Sequence, residues 1–239
     1  MTVNPLPEYY FGPLTPAQVA EGIQSAVSNA KKLYAEAKLL LEAQYWERAA
    51  VLAIQSMEEA AKPKHLRVLL LAKTDHELHQ AWKAYRTYDA RELRRLRFYF
   101  ECVGSNAIDE DMAPLFDEPT YVTQWLASLR QRGMSVDAFD TGRWSTPSTA
   151  IGEGVAAKLV RSAESILSSI PPTMTTASAL TLFVKHLKPI WRCTGSELSK
   201  AVWACYLEAQ ECGLLEGDIS NWVAIRDELE PLDEKDCFW

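Results

Sequence analysis

The chain has 239 residues, 48% hydrophobic and 24% charged, which suffices for one large or two small cores and excludes disorder as its general state. A formal net charge of -7 excludes a surface that binds nucleic acid everywhere, and leaves room for a local basic site. No apolar run approaches the roughly 18 residues of a membrane span, and the first ten residues lack a basic and an apolar signal region. The expected location is therefore the cytoplasm, with no membrane partner. Five cysteines (Cys102, Cys193, Cys205, Cys212, Cys237) are never paired as CxxC, and the four histidines are not at zinc-finger spacing from any of them. Reduced thiols, no structural metal and no cofactor are expected.

Residues 1–14 carry Pro5, Pro7 and Pro13 among aromatics and read as an extended arm. Thr15, Pro16 and Gln18 make a capping box that opens a long helix with Val19, Ile23, Ala26, Ala30, Leu33, Ala37 and Leu40 on its apolar stripe. After a break at 42–45, a second helix carries Trp46, Ala49, Ala50, Ala53, Ile54 and Met57 on one face. Its alanines admit a close neighbour. Pro63 is expected to end or kink it, with helix resuming over 66–72, because proline removes a hydrogen bond and clashes with the preceding turn.

Thr74 and Glu77 form a second capping box, and helix is expected from there as far as Val103. Residues 106–119 are acidic and turn-rich, a short helix covers 121–130, and Gly133, Gly142 and Pro147 bracket a loop or small extended piece around Trp144. Residues 153–167 form another amphipathic helix. Pro171-Pro172 is the clearest boundary, followed by three shorter helices, the second capped by Thr194 and Glu197 and the third over 218–229. The expected class is all-α, organised as an arm (1–14), a helical domain (15–170) and a C-terminal helical extension (171–239).

Charge is the most unusual local feature. Between Lys83 and Arg97 stand six cations (Lys83, Arg86, Arg91, Arg94, Arg95, Arg97) against Asp89 and Glu92, about +4 in a chain of -7. Such a segment concentrates positive potential for a polyanion, and Trp82, Tyr85, Tyr88 and Phe98 add stacking surface for unpaired bases. The plain alternative is a solvated arginine face. Glu58, Glu59 and Lys62 lie on the second helix, where Glu58 and Lys62 at i, i+4 suit an ordinary surface pair. A Glu59 that orients an arginine is the functional alternative. His76 and His79 share a helical face but have no third metal ligand in view. There is no phosphate-binding GxxxxGK[ST], GxSxG or HExxH motif.

Ala20 to Lys62, with its long helix, turn and "LAIQSMEEAAK", resembles the opening of the AbiV family of abortive-infection proteins. "WKAYRTYDAR" (82–91) is similar to that family's aromatic and basic stretch, and "LRQRGMSVDAFDTGRWSTP" (129–147) to its later block. The resemblance spans about 15–168. It implies a HEPN-like helical bundle, here with additional C-terminal helices, working as a homodimer that halts phage multiplication. Many HEPN proteins are metal-independent endoribonucleases whose arginine and histidine, spaced R-x4–6-H, meet across the dimer. An arginine there neutralises the scissile phosphate while a histidine assists the ribose 2′-hydroxyl.

This chain departs from that spacing. No histidine has an arginine five to seven residues upstream, and the family's R-x-H triplet reads Arg86-Thr87-Tyr88. Carried over by position, Arg86, Tyr88 and Glu59 are the catalytic candidates, and Lys62, Lys83, Arg91, Arg94 and Arg95 the RNA-binding ones. Two functions follow: an RNA-cleaving effector, or a non-catalytic module that senses or regulates through a phage or host protein. After residue 170 there are six Lys/Arg against eleven Asp/Glu, so this part suits a basic partner, including the chain's own basic block.

Overall fold

The computed structural model describes residues 8–86, 119–139, 142–168, 170, 175–193 and 196–214. In chain order the described elements are α1 (Pro16–Glu42), α2 (Trp46–Leu71), α3 (Asp75–Arg86), α4 (Pro119–Arg132), β1 (Asp137–Phe139), β2 (Arg143–Ser145), α5 (Pro147–Ala150), α6 (Glu153–Ser168), α7 (Ala177–Leu187) and α8 (Ser196–Glu211). The expected all-α class holds, with a three-residue antiparallel hairpin as the exception. Ala138 faces Trp144 across it, in the stretch where an extended piece was expected. The described residues include no helix long and apolar enough to cross a membrane.

Two compact units share these elements, and both draw on α1 and α2. The second comprises the described residues of 20–64 and 119–176. Its core joins Ala30 and Ala37 of α1, Ala49, Ala50, Ala53, Ile54, Met57 and Ala60 of α2, Leu126 and Leu129 of α4, and Ala156, Leu159, Val160, Ala163 and Ile166 of α6. The alanines on α1 and α2 let the backbones approach closely. Ser56, fully buried, donates its hydroxyl to the Ala30 carbonyl at 2.8 Å. At the end of α4 a Cβ on Gly133 would stand 2.6 Å from Val51 Cγ2, so only glycine lets that turn lie against α2.

The first unit comprises the described residues of 8–19, 65–86 and 177–214. Val19 of α1, Leu66, Leu69, Leu70 and Leu71 of α2, Ala81 and Trp82 of α3, Ala179, Leu180, Phe183 and Leu187 of α7, and Leu198, Val202, Cys205 and Ala209 of α8 are its buried apolar residues. Burial pushes the Cys205 thiol up to about 12, so it stays an unreactive thiol at neutral pH. Because α7 and α8 supply so much of this core, removing everything after 172 would take core residues with it. The expected helix over 218–229, the Pro171-Pro172 boundary and the Thr194 cap lie outside the described residues.

Both upstream caps form. Thr15 and Gln18 bond reciprocally, at 2.9 Å from the Thr15 amide and 3.3 Å from the Gln18 amide. Thr74 caps the Glu77 amide at 3.2 Å, and the Glu77 carboxylate accepts from Lys73 N at 2.7 Å instead of returning to Thr74. α1 stops where Gln44 takes a left-handed φ of 65° and Tyr45 N donates to Leu40 O at 2.9 Å. α8 ends in the same pattern on Gly213 and Leu214.

Pro63 neither ends α2 nor divides it: the helix runs unbroken to Leu71. Proline inside a helix costs about 3 kcal/mol. Here Pro63 is itself buried, and buried residues flank it on both sides, Met57 and Ala60 before and Leu66 and Leu69 after, so tertiary packing outweighs that cost.

Replacing Ala53 by leucine should lower unfolding stability by roughly 1–3 kcal/mol through overpacking of the α1–α2 seam; denaturant titration checks this, and an unchanged midpoint would show a looser seam. On the α7–α8 pair, Glu208 accepts from Lys185 at 2.6 Å and pairs with His186 Nε2 at 2.6 Å, with Cys205 alongside. Hydrogen bonds from Lys185 and His186 hold its carboxyl below the usual 4.5. A lowered folded value means the stabilisation is complete above 4.5 and fades as pH falls through the folded value. Glu208→Gln should therefore flatten the loss of stability below pH 4.5 in acid denaturation, and an identical acid slope would contradict the assignment.

Candidate functional site

α3 presents its chemistry on one stripe. His79, Trp82 and Arg86 stand at i, i+3 and i+7, which places them on one face two turns long. Trp82 is 6% exposed and anchors the helix inward. Arg86 and Lys83 fill the last turn, where cations complement the helix dipole.

The arm lies over this stripe. The Trp82 indole N–H donates to the Gly12 carbonyl at 2.9 Å, and the Arg86 guanidinium donates to the Tyr10 carbonyl. Tyr10 curls back, its hydroxyl bonding Pro13 O at 2.9 Å, over the space left by the missing side chain of Gly12. The Arg86 guanidinium carbon lies 4.1 Å from the Phe11 ring centre, 4.6 Å from Trp82 and 4.9 Å from Tyr9. Phe11 also stacks on His79, with centroids 5.5 Å apart and planes at 22°. Tyr10 and Tyr85 meet Trp82 edge-on at 6.1 and 5.6 Å.

Each cation–π contact at an exposed position contributes about 0.5–1 kcal/mol. The arm's rings remain open to solvent, Tyr9 at 78% and Phe11 at 46%, so its hold on Arg86 is modest. Among the described residues Arg86 Nη1 is buried yet has no hydrogen-bond partner, leaving one arm of a fork suited to a phosphate or carboxylate unused. Lys83 is exposed beside it.

Glu59 and Lys62 belong to the second unit. There Lys62 Nζ reaches Glu59 Oε1 at 2.5 Å, an i, i+3 pair, both partly buried. The expected Glu58–Lys62 surface pair is replaced. Glu58 instead accepts from Arg130 of α4 through both oxygens, at 3.1 and 3.2 Å. Burial raises the Glu58 carboxyl above its ordinary range, outweighing the pull of Arg130 in the opposite direction. Lys62 bonds the nearer-spaced Glu59 while still lowering the Glu58 carboxyl through its charge, and Glu58 takes its hydrogen bonds from Arg130 on α4.

Of the sequence-derived candidates, Arg86 and Lys83 thus fall together at the end of α3, and Glu59 and Lys62 together on α2. Tyr88, Arg91, Arg94 and Arg95 lie outside the described residues. The aromatic cover from Tyr9 and Phe11, the stack on His79 and the Arg130 partner were not foreseen. The one available signal was the Tyr9-Tyr10-Phe11 run itself, aromatic in a proline-rich arm with no helical period to bury it. Among the described residues no group of three His, Cys, Asp or Glu is placed to hold a metal, His76 and His79 included.

This arrangement offers cationic, aromatic and N–H donor groups, the set that contacts phosphate and bases. No curated protein and no solved structure matches the chain. The family model for the AbiV HEPN domain does, over residues 18–168, a span holding all but the first two residues of α1, the elements α2 to α6, and Glu59, Lys62, Lys83 and Arg86. That match covers more than half of the sequence and contains the three blocks that first suggested it: the chain belongs to the AbiV family of HEPN-like abortive-infection proteins.

Proposed function

We propose that this protein is an anti-phage effector that acts on RNA as a homodimer, with α3 as the face that meets the phosphodiester. The observation that carries the reading is Arg86, a guanidinium with an unused buried N–H, placed at the head of a segment of about +4 in an acidic chain. In the cleaving form, Arg86 neutralises the phosphate and Tyr88 or a histidine takes the 2′-hydroxyl proton. Lys62, Lys83, Arg91, Arg94 and Arg95 supply sequence-independent phosphate contacts. Attack by the 2′-hydroxyl on its own phosphorus expels the 5′-oxygen, which takes up a proton, so the reaction needs neither metal nor cofactor. An unperturbed tyrosine has a pKa near 10, so Tyr88 is a poor base unless its surroundings lower that value.

A second reading is favoured by one specific observation, the absence of R-x4–6-H. In it the protein binds RNA, or a phage or host protein, without cutting, and regulates by occupancy. Incubating the purified full chain with total RNA, with and without EDTA, separates the two. The effector reading expects EDTA-insensitive cleavage that Arg86→Ala reduces on the order of 10²-fold, the scale of losing one charge-stabilising donor. Retarded RNA migration with no cleavage supports the second reading. Equal cleavage by wild type and Arg86→Ala would contradict the role given to Arg86.

A further inference from the structure

We propose that His79 and Arg86 frame a stacking slot for one unpaired RNA base, and that Phe11 fills it as a stand-in. The inference rests on α3 being the RNA-facing element, and names the ligand class of that same face. Seven residues of α-helix rise about 10.5 Å, which leaves room for one flat ring between two flat groups on the same stripe. Phe11 reaches both groups at once, with its ring centre 4.1 Å from the guanidinium carbon and 5.5 Å from the imidazole centre, its plane within 22° of the imidazole. Unpaired bases are held in this way, on histidine and aromatic rings and on guanidinium planes.

The polar contacts of the arm complete the likeness. A nucleotide brings one planar ring and several acceptor oxygens. The arm brings the Phe11 ring, the Tyr10 carbonyl on Arg86 and the Gly12 carbonyl on the Trp82 indole N–H. When the arm leaves, Arg86 and Trp82 each regain a donor for a phosphate or base oxygen, and Arg86 Nη1, which has no partner among the described residues, is added to them. Lys83, exposed on the same turn as Arg86, is placed to follow the backbone. A duplex cannot enter, because its bases are already stacked and paired.

The test is binding of a labelled single-stranded 12-nucleotide RNA and of the same sequence as a duplex, by fluorescence anisotropy, to the full chain. Phe11→Ala should tighten single-strand binding about fivefold or more and leave duplex binding unchanged. Adding His79→Ala to it should reverse the gain. A 2-aminopurine in the strand should be quenched by Phe11→Ala protein and not by the His79 double variant, a signature of stacking that a merely structural arm would not give. Phe11→Leu keeps apolar bulk without a flat ring and should behave like Phe11→Ala, which covers loss of folding in the smaller variant. If the Phe11 variants leave single-strand binding unchanged while Arg86→Ala weakens it, the slot is wrong and the RNA-binding reading stands. If Arg86→Ala also changes nothing, both fall.

Discussion

Burial of α2 is the constraint on which the rest depends. Every residue from Trp46 to Leu71 is at least partly buried, so no stretch of the helix lies wholly open to solvent. The close α1–α2 approach is set by alanines and sealed by Ser56 on the Ala30 carbonyl, where water has no access to replace a lost bond. Two carboxylates in the middle of α2 find partners, one on the helix itself and one on α4. Glu59 takes Lys62, and Glu58 takes Arg130. The Glu58–Arg130 pair in particular depends on the packing that brings α4 against α2.

Much of the fold was legible because helix periodicity and capping are local. α1, the turn at 43–45, α2, the start of α3, α6 and α7 can be read from apolar stripes and from Thr15, Gln18, Thr74 and Glu77. What was not legible depends on contacts far apart in sequence. The unbroken passage through Pro63 is decided by burial of the segments on both sides. The choice of Arg130 by Glu58 is decided across 72 positions. The hairpin was visible only as a glycine-bracketed irregularity, since two three-residue strands are too short for alternation to show.

The candidate site divides in the same way. Arg86 and Lys83 stood out through charge density, and Glu59 and Lys62 through a motif shared with a family. The arm's role did not, because an aromatic run beside prolines carries no period and gives no hint of what it will cover. Its rings meet Arg86 some 75 residues away. The contacts are individually weak and largely open to solvent. That combination suits a cover that competes with a ligand better than one that replaces it permanently.

The central claim is that RNA meets this protein on α3, and photocrosslinking tests it without reliance on any variant. A single strand carrying 4-thiouridine, irradiated on the full chain and mapped by mass spectrometry, should label peptides spanning residues 79–86. Labelling confined to other segments, with α3 unmodified at saturating RNA, would contradict the account.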